Sequence, residues 1–192
     1  MRIVLTESNL RQIIKDILKE ELACMGSNYI KVQDLTKEIK YGDDEAIEKA
    51  AISMSKRIPK GSILIPVPQH SGRAEYTLKL SNRIANLSGC EVLDILKSDP
   101  REETLFSKKK KNGGVVKDYS LGFYVADNEE IGNKLKSARN VILIDNVVDS
   151  GMTYEQAAKA IENAYGISPW MFSVGVVTNP KDPTRNIIRS VF

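Results

Sequence analysis

The stretch from Val141 to Gly166 constrains this chain more than any other. It reads V-I-L-I-D-N-V-V-D-S-G-M-T and then continues as a helical pattern that ends in Gly. Val141 to Ile144 is a short apolar run dominated by β-branched residues, which predicts a strand buried on both faces of a parallel sheet and ending at Asp145. Thr153 and Gln156 stand at capping-box spacing, so Thr153 is the expected helix N-cap and Gly166 the expected stop. A strand, a loop of small residues and a helix N-terminus bring free backbone N–H groups and the positive end of the helix dipole to one point. The expected ligand there is a phosphate.

Two common phosphate-binding motifs are excluded, because neither G-x-x-x-x-G-K-[ST] nor G-x-G-x-x-G occurs. Asp145 at the strand tip precedes the loop by several residues. Its carboxylate could accept hydrogen bonds from sugar hydroxyls while the loop holds the sugar's phosphate, a pattern that describes a phosphorylated ribose. The plain alternative is an ordinary strand-loop-helix with Asp145 as a polar strand end. Asp149 reads equally as a solvated turn residue or as a general base.

An apolar strand, two acidic residues, two apolar residues and a loop of the form [DTA]-[ST]-[GA]-x-T make up the signature of the type I phosphoribosyltransferases, and Val141 to Thr153 resembles it. The departure is Asn146, which stands at the second acidic position. Asp149-Ser150-Gly151-x-Thr153 is most similar to the hypoxanthine and xanthine branch. The resemblance implies transfer of a 5-phosphoribosyl group from phosphoribosyl pyrophosphate to a nitrogen of a nucleobase or amine, with inversion and release of pyrophosphate. It assigns Asp145, Asn146 and Asp149 to catalysis, and Asp149, Ser150, Gly151, Met152 and Thr153 to the 5-phosphate. It also implies Mg2+ held mostly by substrate and water, with Asp145 the one candidate protein ligand.

Upstream, Ile63 to Val67 is another apolar strand, followed by Pro68-Gln69-His70-Ser71-Gly72-Arg73 and a helix to about Leu87. I-L-I-P-V-P-x-H is similar to the first strand and loop of the competence-protein F group of phosphoribosyltransferase-like proteins. The resemblance implicates Gln69, His70, Ser71, Gly72 and Arg73 in binding pyrophosphate. His70 is the only histidine, which excludes a multi-histidine metal site, and its plain reading is a loop residue bonded to backbone. A guanidinium suits a phosphate fork, which favours Arg73. The polar connection 97–118 carries Arg101 and the run Lys108 to Lys111. By the same resemblance it is a lid bringing Arg101, Lys108 and Lys109 to the pyrophosphate, and Arg101 ranks above the lysines, whose plain reading is a solvated charge run.

Strands over Glu91 to Leu96, Leu121 to Val125 and Trp170 to Val177, alternating with helices, predict one α/β domain: an open, mainly parallel sheet covered on both faces. Residues 1–26 are expected as an amphipathic helix (Leu10, Ile13, Ile14, Ile17) preceding a domain of 27–192, with Met25 to Asn28 as the joint. Tyr29 to Tyr41 fits a strand or a short helix. Gly42-Asp43-Asp44 should cap a helix that buries Ala46, Ile47, Ala50, Ala51 and Met54. The resemblance to type I enzymes also implies a hood that recognises the base, which would come from residues before Gly61 or from a neighbouring subunit, so a homodimer is allowed.

With 28 Lys and Arg against 25 Asp and Glu, the net charge of +3 is too mild to argue for nucleic acid. Cys24 and Cys90 read as free thiols, and no apolar run approaches the ~20 residues of a membrane span, so a cytoplasmic protein is expected. Asn146 keeps a second class open, a phosphoribosyl pyrophosphate or nucleotide-binding regulatory module with little catalysis. A competence-type nucleic-acid-associated protein is a third.

Overall fold

The computed structural model describes residues 24–103, 107, 119–125, 128–177 and 188–190, with only the backbone for 24, 25 and 188–190. Eight strands and five helices follow one another: β1 (Cys24–Asn28), α1 (Tyr29–Lys40), α2 (Asp44–Ser55), β2 (Ile63–Pro66), α3 (Glu75–Ser88), β3 (Glu91–Val92), β4 (Leu96–Ser98), β5 (Phe123–Val125), α4 (Glu129–Ser137), β6 (Val141–Val148), α5 (Met152–Tyr165), β7 (Trp170–Val176) and β8 (Ile188–Ser190). Six strands form one sheet in the order β3-β2-β6-β7-β1-β8, and every pairing in it is parallel. β4 and β5 pair antiparallel in a separate two-stranded sheet.

A parallel sheet needs cover on both faces, and the alternation of side chains along β6 supplies two cores. Val141 and Leu143 pack with Leu135 of α4 and with Ala157, Ile161 and Tyr165 of α5. Ile142 and Ile144 face the other way, onto Ile39, Ala50, Ala51, Leu80 and Ile84 of α1, α2 and α3. The expected buried face of α2 is found: Ala46, Ile47, Ala50, Ala51 and Met54 are all buried, and Asp43 Oδ1 accepts from Ala46 N at 2.8 Å. Among the described residues no helix is long and apolar enough to cross a membrane.

Several expectations are corrected. Met25 to Asn28 is no joint but most of β1, an inner strand between β7 and β8, so the boundary placed at 26 falls inside the sheet. Residues 1–23, the remainder of the expected first helix, lie outside the described residues. Glu91 to Leu96 is not one strand: β3 pairs with β2 for two residues only, and Leu96 begins β4 in the other sheet. The helix α4 was not foreseen; Asn128 caps it, accepting from Ile131 N at 3.1 Å. Tyr29 to Lys40 is helical, with a kink at Val32 (φ −124°, ψ 16°).

α1 lies close on the sheet because residue 175 of β7 has no side chain. A Cβ at Gly175 would meet Thr36 Cγ2, Tyr29 Cδ2 and Val32 Cγ2, each at 3.2 Å. All three belong to α1, and two sit on β-branched side chains with little freedom to turn aside. Gly175→Ala should therefore lift α1 and lower stability by about 1–3 kcal/mol, as overpacking does. A thermal midpoint equal to that of the parent would show that α1 is not seated through this contact.

Candidate functional site

The strand order reverses between β2 and β6. From β2 the chain runs through α3 to β3 on one side; from β6 it runs through α5 to β7 on the other. Loops leaving adjacent strands in opposite directions open a crevice at the carboxyl edge of the sheet, where ligands of such sheets bind. A pocket of about 390 Å3 lies there, lined by Val67 to His70 after β2, Asp145 to Gly151 and Thr153 along and after β6, Arg101, and a stripe of α1. That volume is within the range of small-molecule sites, roughly 300–1,000 Å3.

β6 does not end at Asp145 as expected but continues to Val148, because β7 carries on pairing beside it: Asp145 aligns with Ser173 and Val147 with Gly175. On the other side β2 leaves after the bond from Val67 N to Ile144 O. Asp145 and Asn146 are therefore the first residues of β6 without β2 beside them.

The two helix N-termini at this edge differ. α3 is capped: with its carboxamide oxygen turned to the helix, Gln69 accepts from Glu75 N and Tyr76 N, both at 3.1 Å. α5 has no side-chain cap. Its N-cap is Gly151 in the left-handed region (φ 78°), not Thr153, which is already helical. The expected capping box does not form because Gln156 is engaged elsewhere, its Oε1 accepting from Leu121 N and its Nε2 donating to Tyr119 O, both at 2.6 Å. A glycine at the N-cap leaves this helix end without the side-chain cap that Gln69 gives α3, and helix N-termini of this kind are candidate anion sites. Gly166 is the stop expected, at φ 70°.

The expected pyrophosphate residues divide. Gln69 and His70 line the pocket; Ser71, Gly72 and Arg73 do not, and Arg73 is exposed. The loop is closed on itself, with Gln69 N donating to Arg73 O and Gly72 N to Gln69 O. A Cβ on Gly72 would stand 2.4 Å from Ser98 O, so glycine lets this loop touch the end of β4. Arg101 is at the pocket, but its Nη2 donates to Gln69 O at 3.1 Å and its backbone N to His70 O at 2.7 Å. Burial lowers its pKa from the ordinary arginine value, and its guanidinium lies 6.0 Å from the Phe123 ring centroid. Its visible work is to brace the loop. Lys108 and Lys109 lie outside the described residues, and Met152 lies on the far side of the loop in a different groove.

Asp145 is enclosed by protein with one opening to the pocket. Burial pushes its carboxyl up to about 6, opposed by the hydrogen bond from Asn146 N to Oδ1 at 2.7 Å. The Asp145 charge and, more strongly, burial hold the Tyr76 phenol well above its usual value. Asn146 is only 5% exposed. Its Nδ2 donates to the Thr36 carbonyl of α1 at 2.7 Å, and its Oδ1 is buried with no partner. Sequence reasoning missed α1: Tyr29, Thr36, Lys37 and Lys40 line the pocket. Their spacing of i, i+7, i+8 and i+11 is a helical face, a signal legible only once the segment is known to be helical.

Asp145 brings a carboxylate, a hard oxygen donor, to the pocket, and among the described residues no group of three or more His, Cys, Asp or Glu side chains converges. No family model matches the chain, and no curated protein matches it either.

Two substitutions test the electrostatics. Asp145 is held more protonated when folded than its ordinary value of 3.8 allows, so its ionisation lowers stability as pH rises from about 4 to about 6. Asp145→Asn should raise the thermal midpoint above pH 6, by a gain of about 1–2 kcal/mol given the opening to solvent, and the gain should vanish below pH 4. A pH-independent difference would contradict a buried, shifted carboxyl. Asn146→Asp removes the donor and sets a carboxylate against the Thr36 carbonyl. It should cost about 1–3 kcal/mol at neutral pH, read by urea titration, and an unchanged urea midpoint would mean that the amide does not hold α1.

Proposed function

We propose that this protein binds a 5-phosphorylated ribose in the crevice between β2 and β6 and acts as a phosphoribosyltransferase of the type I kind. It would transfer the 5-phosphoribosyl group from phosphoribosyl pyrophosphate to a nitrogen of a nucleobase or amine. The observation that carries this reading is the uncapped N-terminus of α5 opening on the same pocket as the enclosed carboxyl of Asp145.

In this reading the amides after Gly151, with the Ser150 and Thr153 hydroxyls, take the 5-phosphate. Asp145 accepts hydrogen bonds from ribose hydroxyls, and as a carboxylate it stabilises positive charge developing at the anomeric carbon. Its ionised form is required, so donor binding should weaken as pH falls through about 6. Asp149, which lines the pocket, would serve in proton transfer with the acceptor. The β2 loop, braced by Arg101, walls the leaving-group side. Mg2+, when bound, would supply charge neutralisation for pyrophosphate, and Asp145 is the residue that would contribute a protein oxygen to it.

A second reading is a binding module with little turnover. It is favoured by Asn146, whose side chain is committed to α1 and adds no negative charge beside the ribose.

The deciding measurement is pyrophosphate release from phosphoribosyl pyrophosphate and Mg2+ across purines, pyrimidines and simple amines, with Asp145→Ala as control. Release that depends on one acceptor and falls at least about 100-fold in the variant is expected of a transferase, given the scale of charge-stabilising groups in active sites. A raised thermal midpoint with donor but no turnover supports the binding module. No shift at saturating donor would overturn both.

A further inference from the structure

Tyr76, in the first turn of α3, lines the same pocket as Asp145. Hydrogen bonds bring the two together. The Thr77 hydroxyl donates to Val67 O at 2.8 Å, which pins the start of α3 on the end of β2. Val67 N donates in turn to Ile144 O at 3.0 Å, and Asp145 is the next residue of β6 beyond that junction. Gln69, capping α3, accepts from Tyr76 N and fixes the backbone there. The Tyr76 ring packs against the core that holds Leu80 and Ile144. That packing asks only for a phenylalanine. Among the described residues the Tyr76 hydroxyl finds no hydrogen-bond partner, yet it is not sealed away from the pocket. Polar groups in such surroundings are normally paired, so this one calls for a partner from outside the protein.

The chemistry of that partner follows from the neighbours. Burial and, behind it, the Asp145 charge hold the phenol well above its usual pKa, so it is a donor at neutral pH. Asp145, once ionised, is an acceptor only. A hydroxyl fits between them, because it accepts from the one and donates to the other. An anionic oxygen offered to Tyr76 would meet the Asp145 charge, and an apolar group would leave both unpaired. We propose that Tyr76 is a specificity-determining residue of the crevice: its phenol donates to a sugar hydroxyl that itself donates to Asp145, so the site takes a sugar bearing that hydroxyl and rejects its deoxy counterpart. This rests on the phosphoribosyl reading and deepens it.

Titration calorimetry would compare the full chain with Tyr76→Phe at a pH well above 6, where Asp145 is ionised. The ligands are ribose 5-phosphate and its 2-deoxy and 3-deoxy analogues. The parent should bind ribose 5-phosphate at least about ten-fold more tightly than one of the deoxy sugars, because losing that hydroxyl leaves the phenol and the carboxylate unpaired. In Tyr76→Phe the affinity for ribose 5-phosphate should fall roughly ten-fold while that for the same deoxy sugar stays within about two-fold, so that the preference collapses. The ligand-free thermal midpoint reads any role in the fold, and it should equal or exceed that of the parent. A parent that binds these sugars alike, or a preference that Tyr76→Phe leaves whole, overturns the assignment and leaves the phosphoribosyl reading standing. A clear fall in the ligand-free midpoint would make the hydroxyl a bond of the fold and overturn it as well. Failure of the parent to bind ribose 5-phosphate overturns both.

Discussion

The bond from Val67 N to Ile144 O is the last that β2 makes to β6, and the site depends on where it falls. Up to Ile144 the strand is paired on both sides and its apolar side chains fill the two cores. One residue later β2 has turned away toward α3 while β6 runs on beside β7. Polar residues can stand at 145 and 146 because the sheet has opened there. Each still needs partners for its buried atoms, and those partners shape the pocket: Asn146 N for the Asp145 carboxylate, the Thr36 carbonyl for the Asn146 amide.

The two walls are held by different means. On the β2 side, Gln69 caps α3, the Thr77 hydroxyl donates to Val67 O at 2.8 Å, and Arg101 braces the Gln69 and His70 carbonyls. These bonds occupy the polar groups of the β2 loop within the protein. On the α1 side, the close approach at Gly175 and the single amide bond of Asn146 set the helix in place. The α5 N-terminus has a glycine at its N-cap and no side-chain cap there, so capping distinguishes the two helix ends at this edge.

Asn146 shows how one position can carry opposite meanings. As a letter in a motif it is a missing carboxylate. In the fold it is a donor to a buried carbonyl, a task a carboxylate cannot perform, so the substitution is coherent with the position of α1. An acid there would add charge to the pocket and remove the helix anchor together.

Local chemistry was legible in the chain. The apolar runs at Ile63, Val141 and Trp170 fall within parallel strands, Gly166 ends its helix, Asp43 caps α2, and Asp145 to Thr153 lies along one crevice apart from Met152. Each depends on neighbours a few residues away, through periodicity, turn geometry and capping. What the chain alone did not disclose depends on distant partners. Thr153 lost the cap because Gln156 binds the backbone at Tyr119 and Leu121, and β6 outran Asp145 because β7 continues beside it. Met25 to Asn28 became a strand because β7 and β8 flank it, and α1 entered the pocket because Gly175 makes room. Sequence by itself determined the alternation of elements and the loop of small residues between β6 and α5, since those are set by local backbone preference. Tertiary structure alone decided which polar groups remain unspent at the pocket, since a hydrogen bond between residues 36 and 146 has no local signature.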